Sequence, residues 1–580
     1  MSNLPMGGGY LFTETKPEDI FTPEDFSDEH KMIADTTTRF VVNNVLPVIE
    51  EVDEQKEGLL VELLKACGEL GLLGIDIQEK YEGMDLGKVT SGLVAERLGR
   101  AGTFGMMAHG GTTGIGSVPI VYFGTEEQKK KYLPGITTAD IVGAYALTEP
   151  EAGSDAMSIK TKAVLSPDGK HYLLNGTKQF ISNAIIAGIF IVFAKVDGEK
   201  FSTFIVEKGT EGLSLGPEEK KMGIKGSSTR TVIMENCKVP VENLLFEIGK
   251  GHVVAFNTLN LGRYKIAAGS LGQAKFALEL SATYGNERTQ FKTPIGQFGL
   301  IKEKLADMAT KVYAAECSLY RLAGMLEGAL STMHGVEDGQ AAAKLIEEYS
   351  IECAINKIFA TEILAFCVDE GVQIFGGYGF SSEYTIERLY RDARVTRLFE
   401  GTSEINRTII PTNLLRKKGL PIQEAFEKIG QLVKSGPAAR KDEKDLVQAA
   451  KDIFIFTLGE GMKKMDKALM KNQEFVGRFA DMAILAFAME SSWLRSQKAA
   501  GSLSAEKAKI QANLAKAFIY TTIGQVACIA KDTLAAIHEG GELETALAQL
   551  QTLANYIPCN TVAVRREIAA AVSDAGKYPF

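Results

Sequence analysis

The sequence predicts a mainly helical α+β protein in four consecutive parts: a helical domain, a compact β domain, a second helical bundle and an additional helical domain. Three observations predict it. Apolar residues recur at helical spacing up to about residue 140 and again from Gly251. Between them the texture changes to short runs rich in Val, Ile, Phe and Thr, separated by turn dipeptides. The stretch Lys417-Lys418-Gly419-Leu420-Pro421 then sets off a further helical pattern over 421–580. With 580 residues, 45% hydrophobic and 24% charged, the chain has the composition of a globular protein with several buried cores.

In order, residues 1–26 carry few apolar anchors and are expected to lie over the surface as an extended arm. Residues 27–140 form the N-terminal helical domain. Ser27 is the N-cap of its first helix, where Met32, Ile33, Phe40, Val41 and Val45 share a face, and Leu59–Leu70, Val89–Leu98 and Glu126–Tyr132 repeat the pattern. In 141–250, strands are expected at 159–166, 171–175, 189–195, 202–206 and 229–235, with turns at Asp168-Gly169 and Asp197-Gly198; strands without intervening helices indicate a barrel or sandwich. Helical periodicity returns over 251–416. It continues in 421–580 with breaks at Ser435-Gly436-Pro437, Gly501-Ser502 and Gly540-Gly541.

Several function classes are excluded at this level. A net charge of −9 argues against a broad nucleic-acid-binding face. The seven cysteines form no CxxC and the six histidines no HxxxH, so reduced thiols and no metal site are expected. No targeting segment is visible, and the apolar stretch Met482–Met489 is far short of the roughly 20 residues that span a bilayer. The expectation is a cytoplasmic protein without stable membrane insertion. GxGxxG and P-loop patterns are both missing, so a nucleotide cofactor would be held by another route.

Three segments could carry chemistry. Tyr145-Ala-Leu-Thr-Glu-Pro-Glu-Ala-Gly-Ser-Asp155 offers the hydroxyls of Thr148 and Ser154 and a backbone loosened by Gly153, able to hold a polar ring edge or a phosphate, or simply an ordinary turn. Gln373-Ile-Phe-Gly-Gly-Tyr-Gly-Phe380 is either a glycine-rich helix end or a place of close ligand approach. In Leu398-Phe-Glu-Gly-Thr402, Glu400 could be a desolvated general base or a solvated surface charge.

Taken together and in this order, the three segments resemble the acyl-CoA dehydrogenase family. Ala146–Asp155 and Gln373–Phe380, the latter continuing through Glu383, Arg388 and Asp392, match its two signatures. Phe399–Thr402 looks like its catalytic-base segment, and Lys178–Asn183, Met222–Thr229 and Glu287–Phe291 are further family-like stretches. The resemblance covers about 27–415, and the additional domain is similar to that of the very-long-chain branch.

The resemblance implies FAD held between the helical and β domains. Tyr145, Leu147, Thr148, Gly153, Ser154, Phe180 and Ser182 would lie at the flavin, Phe180 standing where many members have Trp. Arg288, Phe291, Gln373 and Gly377 would reach the cofactor of a neighbouring subunit, while Thr402 and Glu404 lie against their own. Ser154, Asn260, Arg263, Gly401 and Gly116 would contact the acyl-CoA substrate, Gly116 as a small residue at the pocket floor around Gly114–Pro119. Glu400 would take the α-proton while the β-hydride moves to flavin N5, with the thioester carbonyl held by the Glu400 N–H and the FAD ribityl 2′-OH. Some members place the base immediately before the Arg263 position; here that residue is Gly262. The implied activity is dehydrogenation of long-chain acyl-CoA thioesters to trans-2-enoyl-CoA, the first step of fatty acid β-oxidation, by a homodimer passing electrons to an electron-transfer flavoprotein. An oxidase using O₂ directly and a non-catalytic scaffold are the alternatives; the scaffold predicts loss of site residues, yet Glu400, Thr148 and Arg288 are present.

Overall fold

The computed structural model describes residues 5–333, 338–436 and 438–580. Residues 1–4 of the expected arm and Pro437 of the expected break lie outside them. The first helix spans Asp28–Phe40, and Ser27 caps it by accepting from the His30 N–H at 3.2 Å. Helices Leu59–Glu69, Lys88–Gly99 and Glu126–Thr137 follow. Between them Met106–Ile115 is π-helical and breaks at Gly114, whose φ/ψ of −91°/−105° is non-helical.

The β region forms one eight-stranded sheet: β1 Gly143–Ala146, β2 Lys162–Leu165, β3 His171–Ser182, β4 Ile189–Val196, β5 Lys200–Glu207, β6 Leu213–Glu218, β7 Thr229–Pro240 and β8 Leu244–Leu245. The path is β6-β7-β3-β2-β4-β5-β8, with β1 added parallel to β4. Both faces are buried, which explains the unbroken apolar run of β4. Ile189, Ile191 and Phe193 join the core against the neighbouring helices, and Phe190, Val192 and Ala194 join the core inside the sheet. The sheet curls far enough that Tyr172 of β3 meets Phe204 of β5, two strands away from being neighbours, at 5.1 Å between rings.

β6 is an addition to the expected strands. Its Gly216 and Pro217 disguise it, and it tolerates a proline because it sits at the sheet edge, paired with β7 alone. β3 and β7 run longer than expected because register shifts near Gly176 and Lys178 carry the ladder past residues that read as turn.

The second bundle is built on the long helices Gly251–Glu287, Gly299–Leu330 and Ser350–Phe375, with Thr385–Ala393 and Ser403–Arg416 beside them. Six helices from Ile422–Ser435 to Thr561–Ala575 make the additional part. It shares one continuous hydrophobic core with the bundle, and Phe359 of the bundle meets Phe518 at 5.9 Å. The apolar stripe Leu514, Phe518, Ile519 and Ile523 is buried in that core, and the adjacent Lys509 and Lys516 pair with Glu567 and Glu443. Among the described residues no helix is long and apolar enough to cross a membrane.

The N-terminal arm departs from the sequence expectation. It does not lie over the surface: Tyr10 and Leu11 are 5% and 2% exposed, and the Tyr10 hydroxyl donates to the Ala483 carbonyl. Two glycines make this possible. A Cβ on Gly7 would stand 2.0 Å from the Glu348 carbonyl oxygen, and Gly8, at φ +75°, passes its N–H to Glu352. The arm is a strap threaded between the bundle and the additional helices.

Candidate active site

A cavity of about 1440 Å³ opens where the N-terminal helices, the sheet and the 251–287 helix meet. Single small-molecule sites run to roughly 300–1,000 Å³, so this space accommodates more than one ligand. Its lining brings together Tyr145, Leu147, Thr148, Gly153, Ser154, Phe180, Ser182, Asn260, Arg263, Glu400, Gly401 and Thr402, residues from four separate stretches of the chain.

Glu400 is the chemical focus. It sits on a turn at φ +52°, followed by Gly401 at +83°, a strained conformation for a glutamate. Polar groups hold the turn by its carbonyls. Arg263 Nε donates to the Glu400 carbonyl at 3.1 Å, Lys357 Nζ to that of Gly401 at 2.9 Å, and Asn406 Nδ2 to those of Gly401 and Thr402. The Arg263 guanidinium is itself fixed by Asn260 at 2.7 Å. The side chain, by contrast, is left alone: Glu400 Oε2 is sealed from solvent and has no hydrogen-bond partner among the described residues. It lies against Gly262, where a Cβ would stand 1.9 Å from that oxygen. Burial pushes the Glu400 carboxyl up to about 8 despite the opposing positive charges of Arg263, Lys357 and Lys265. The same burial pulls Lys357 down to about 8, with Glu400 opposing.

The loop at 147–149 is anchored from beneath. Lys178 on β3 is fully buried; its ammonium donates to the Leu147 carbonyl at 3.2 Å and to Glu149 Oε1 at 2.7 Å. Glu149 also accepts the Lys160 and Thr161 N–H groups. Thr148 is thereby presented to the cavity by a rigid turn. Phe180, at φ +59° and 59% exposed, lines the same cavity beside it as an uncovered aromatic face, the preceding Gln179 N–H donating to the Thr148 carbonyl at 2.9 Å. An aromatic wall, a hydroxyl-bearing turn and a desolvated carboxylate form a donor set that fits a flat polar ring with a substrate beside it, without a metal.

Five expected cofactor contacts lie elsewhere. Arg288, Phe291, Gln373 and Gly377 gather on an exposed surface where the 251–287 and 350–375 helices end, with the Arg288 guanidinium 5.3 Å from the Tyr378 ring. Glu404 is exposed in the first turn of the 403–416 helix, outside the cavity lining.

Gly116 was expected at the pocket floor. It does not line the cavity, and neither does Pro119. A Cβ at Gly116 would meet the Gly111 carbonyl at 2.6 Å and the Gly143 backbone at 3.0 Å, so its small size seats the π-helical segment on β1 instead of deepening a pocket. The cavity touches that segment through Gly110, Gly111 and Ile115. Sequence reasoning missed Lys357 and Asn406; a buried lysine within the apolar run Ile351–Phe366 was the one available signal.

Comparison with known proteins shows the family. The chain matches the families described as acyl-CoA dehydrogenase, N-terminal domain (27–140), middle domain (144–237) and C-terminal domain (249–415), and a further acyl-CoA dehydrogenase C-terminal domain over 449–552. The chain belongs to the acyl-CoA dehydrogenase family. It is 48% identical to a probable acyl-CoA dehydrogenase of Bacillus subtilis over 100% of this chain and 99% of the relative. The crystal structure of an acyl-CoA dehydrogenase complexed with FAD from Bacillus anthracis superposes with a TM-score of 0.96 at 50% identity, covering 99% of each chain. The human very long-chain specific acyl-CoA dehydrogenase is 38% identical over 66% of this chain and 58% of its own length.

Proposed function

We propose that this family member is a FAD-dependent acyl-CoA dehydrogenase that converts long-chain acyl-CoA thioesters to trans-2-enoyl-CoA, the first step of fatty acid β-oxidation, with an electron-transfer flavoprotein as acceptor. The observation that carries the reading is Glu400: a desolvated, unpaired carboxylate held by its backbone against a glycine. An α-proton of a saturated thioester is weakly acidic, and a base raised toward neutrality is better matched to it than an ordinary carboxylate. Bound FAD supplies the hydride acceptor. Thr148, Ser154, Phe180, Ser182 and Thr402 frame the cofactor, Arg263 and Asn260 fix the base, and Gly401 lets the turn approach the thioester.

The long-chain preference is supported by the cavity's extent along the 251–287 helix, from Leu259 to Gln273. At 1.5 Å per residue this is about 21 Å. A homodimer is supported by the exposed Phe291, Phe380 and Leu300 (89%, 87% and 75%) near Arg288 and Gln373, an apolar surface suited to a second copy that would complete each cofactor site.

Anaerobic addition of palmitoyl-CoA to the FAD-loaded protein should bleach the flavin. Glu400→Gln should retain FAD and slow bleaching by about 10²–10⁴-fold, the usual contribution of a positioned base. Bleaching at the wild-type rate in that variant removes the assignment.

A further inference from the structure

The end of the cavity remote from the Glu400 turn is not the plain hydrocarbon wall that an alkyl chain asks for. Beyond Arg263, the 251–287 helix lines the cavity with Ile266, Gly269, Ser270 and Gln273, whose spacing places them along one face. Ala95 and Gly99 of the 88–99 helix, with Gly105 and Met106, contribute to the same lining. The space beside them is local: a Cβ on Gly269 would meet only the Ala95 carbonyl, at 3.8 Å, whereas one on Gly272 would stand 1.8 Å from the Glu96 carbonyl oxygen.

Ser270 and Gln273 are 2% and 1% exposed. The Ser270 Oγ and both amide atoms of Gln273 are sealed from solvent without a hydrogen-bond partner among the described residues. A buried polar group left in that state destabilises the site, and a methyl-terminated chain would leave all of them so. Both stand at the end of a run that begins at Gly262, against the catalytic carboxylate. Eleven residues of helix separate Gly262 from Gln273, about 16 Å. At about 1.3 Å of extension per methylene of normal C–C geometry, that distance takes roughly twelve carbons beyond the reacting pair.

The ligand chemistry follows from the inventory of donors and acceptors. A glutamine amide offers an acceptor and two donors, and a serine hydroxyl offers both. An ionised carboxylate at the chain end would accept from Gln273 Nε2 but leave Oε1 without a donor. A hydroxyl donates and accepts at once. We propose that Ser270 and Gln273 form a terminal hydroxyl subsite, so that the preferred substrates are acyl-CoA thioesters of about fourteen to sixteen carbons hydroxylated at or next to the ω-carbon. The inference rests on the dehydrogenase reading and narrows its substrate class. Ser270 and Gln273 determine specificity; they do not take part in the proton step.

The test compares kcat/KM for hexadecanoyl-CoA and 16-hydroxyhexadecanoyl-CoA, and for the corresponding fourteen-carbon pair, in the wild type, Gln273→Leu and Ser270→Ala. The wild type should favour the hydroxylated member of at least one pair by about tenfold or more, because a site built to pair a hydroxyl discriminates against its absence. Gln273→Leu, nearly isosteric and apolar, should abolish or invert that ratio, and Ser270→Ala should reduce it. FAD content and melting temperature identify a variant that has failed to fold, and the milder Ser270→Ala then carries the comparison. A wild-type ratio near one for both pairs, or a ratio that persists in both variants, overturns the subsite. Failure of every thioester to bleach the flavin is a different result: it removes the dehydrogenase reading, and the inference with it.

Discussion

The carboxylate of Glu400 and the missing side chain of Gly262 are two halves of one feature. A Cβ at 262 and the Glu400 Oε2 cannot occupy the space they share, since 1.9 Å is far inside van der Waals contact. A base at one position therefore requires a small residue at the other. Gly262→Ala should keep FAD but displace the carboxylate, lowering the rate of anaerobic flavin reduction by about 10²-fold, the scale of loss from an ångström of misplacement. The same burial fixes the pH dependence. With its carboxyl raised to about 8, Glu400 is mostly protonated at pH 7 in the free protein and must ionise to accept a proton. The kcat/KM for acyl-CoA should then rise with pH, about tenfold per unit below 8, and level off above it. A profile already flat from pH 5 to 7 would show that the base ionises normally.

At the scale of elements, the site depends on how β3 supports the 147–149 turn. Burial pulls the Lys178 ammonium down to about 8 against the pull of Glu149, which stays ionised through Lys178 and the Lys160 and Thr161 N–H groups. Lys178→Leu leaves a buried carboxylate without its cation, a change worth about 3 kcal/mol or more. It also releases the Leu147 carbonyl. Thermal melting should fall and FAD should dissociate more readily; unchanged melting together with unchanged FAD affinity would show that the pair is not the support. Elements of this kind were unequally legible in the sequence. Strands with unbroken Val, Ile and Phe runs, such as 189–196, could be read directly, whereas β6 was hidden because edge position, not composition, permits its Pro217. The turn that carries the proposed base was legible only through the likeness of Phe399-Glu-Gly-Thr402 to a family segment. The groups that hold it, Lys357 and Asn406, were not, because a side chain acting on a carbonyl more than forty residues away, as Lys357 does, leaves no local pattern. Gly116 lies between two backbones, and in sequence such a residue looks the same as a small residue next to a cavity.

At the scale of the whole molecule, the additional helices, the strap and the bundle are joined by buried charge as well as by a common core. Arg495 of the 473–502 helix, 1% exposed, donates to Glu24 of the strap at 2.9–3.1 Å and to Glu316 of the 299–330 helix at 2.5 Å. Burial alone would raise the Glu24 carboxyl, but Arg495, with a further hydrogen bond from Gln511, holds it below its usual value. Glu316 is likewise held low against burial, by Lys275 and Arg495. A depressed carboxyl stabilises the fold above its unfolded pKa, and that contribution is lost as pH falls through the folded value. Arg495→Leu reverses the sign for Glu24: without its cation, a carboxylate buried beside Glu316 favours the protonated form, so the variant's stability should recover on acidification. At pH 7.5 the substitution should cost about 3–5 kcal/mol, the usual result of breaking a buried pair from one side. Glu24→Gln added to Arg495→Leu should restore part of that loss, since it removes the uncompensated charge. Melting curves at pH 5.5 and 7.5 decide the matter. A wild-type-like transition in Arg495→Leu at both values, or a deficit that does not shrink at the lower pH, would show that the apolar core alone holds the strap and the additional helices to the enzyme.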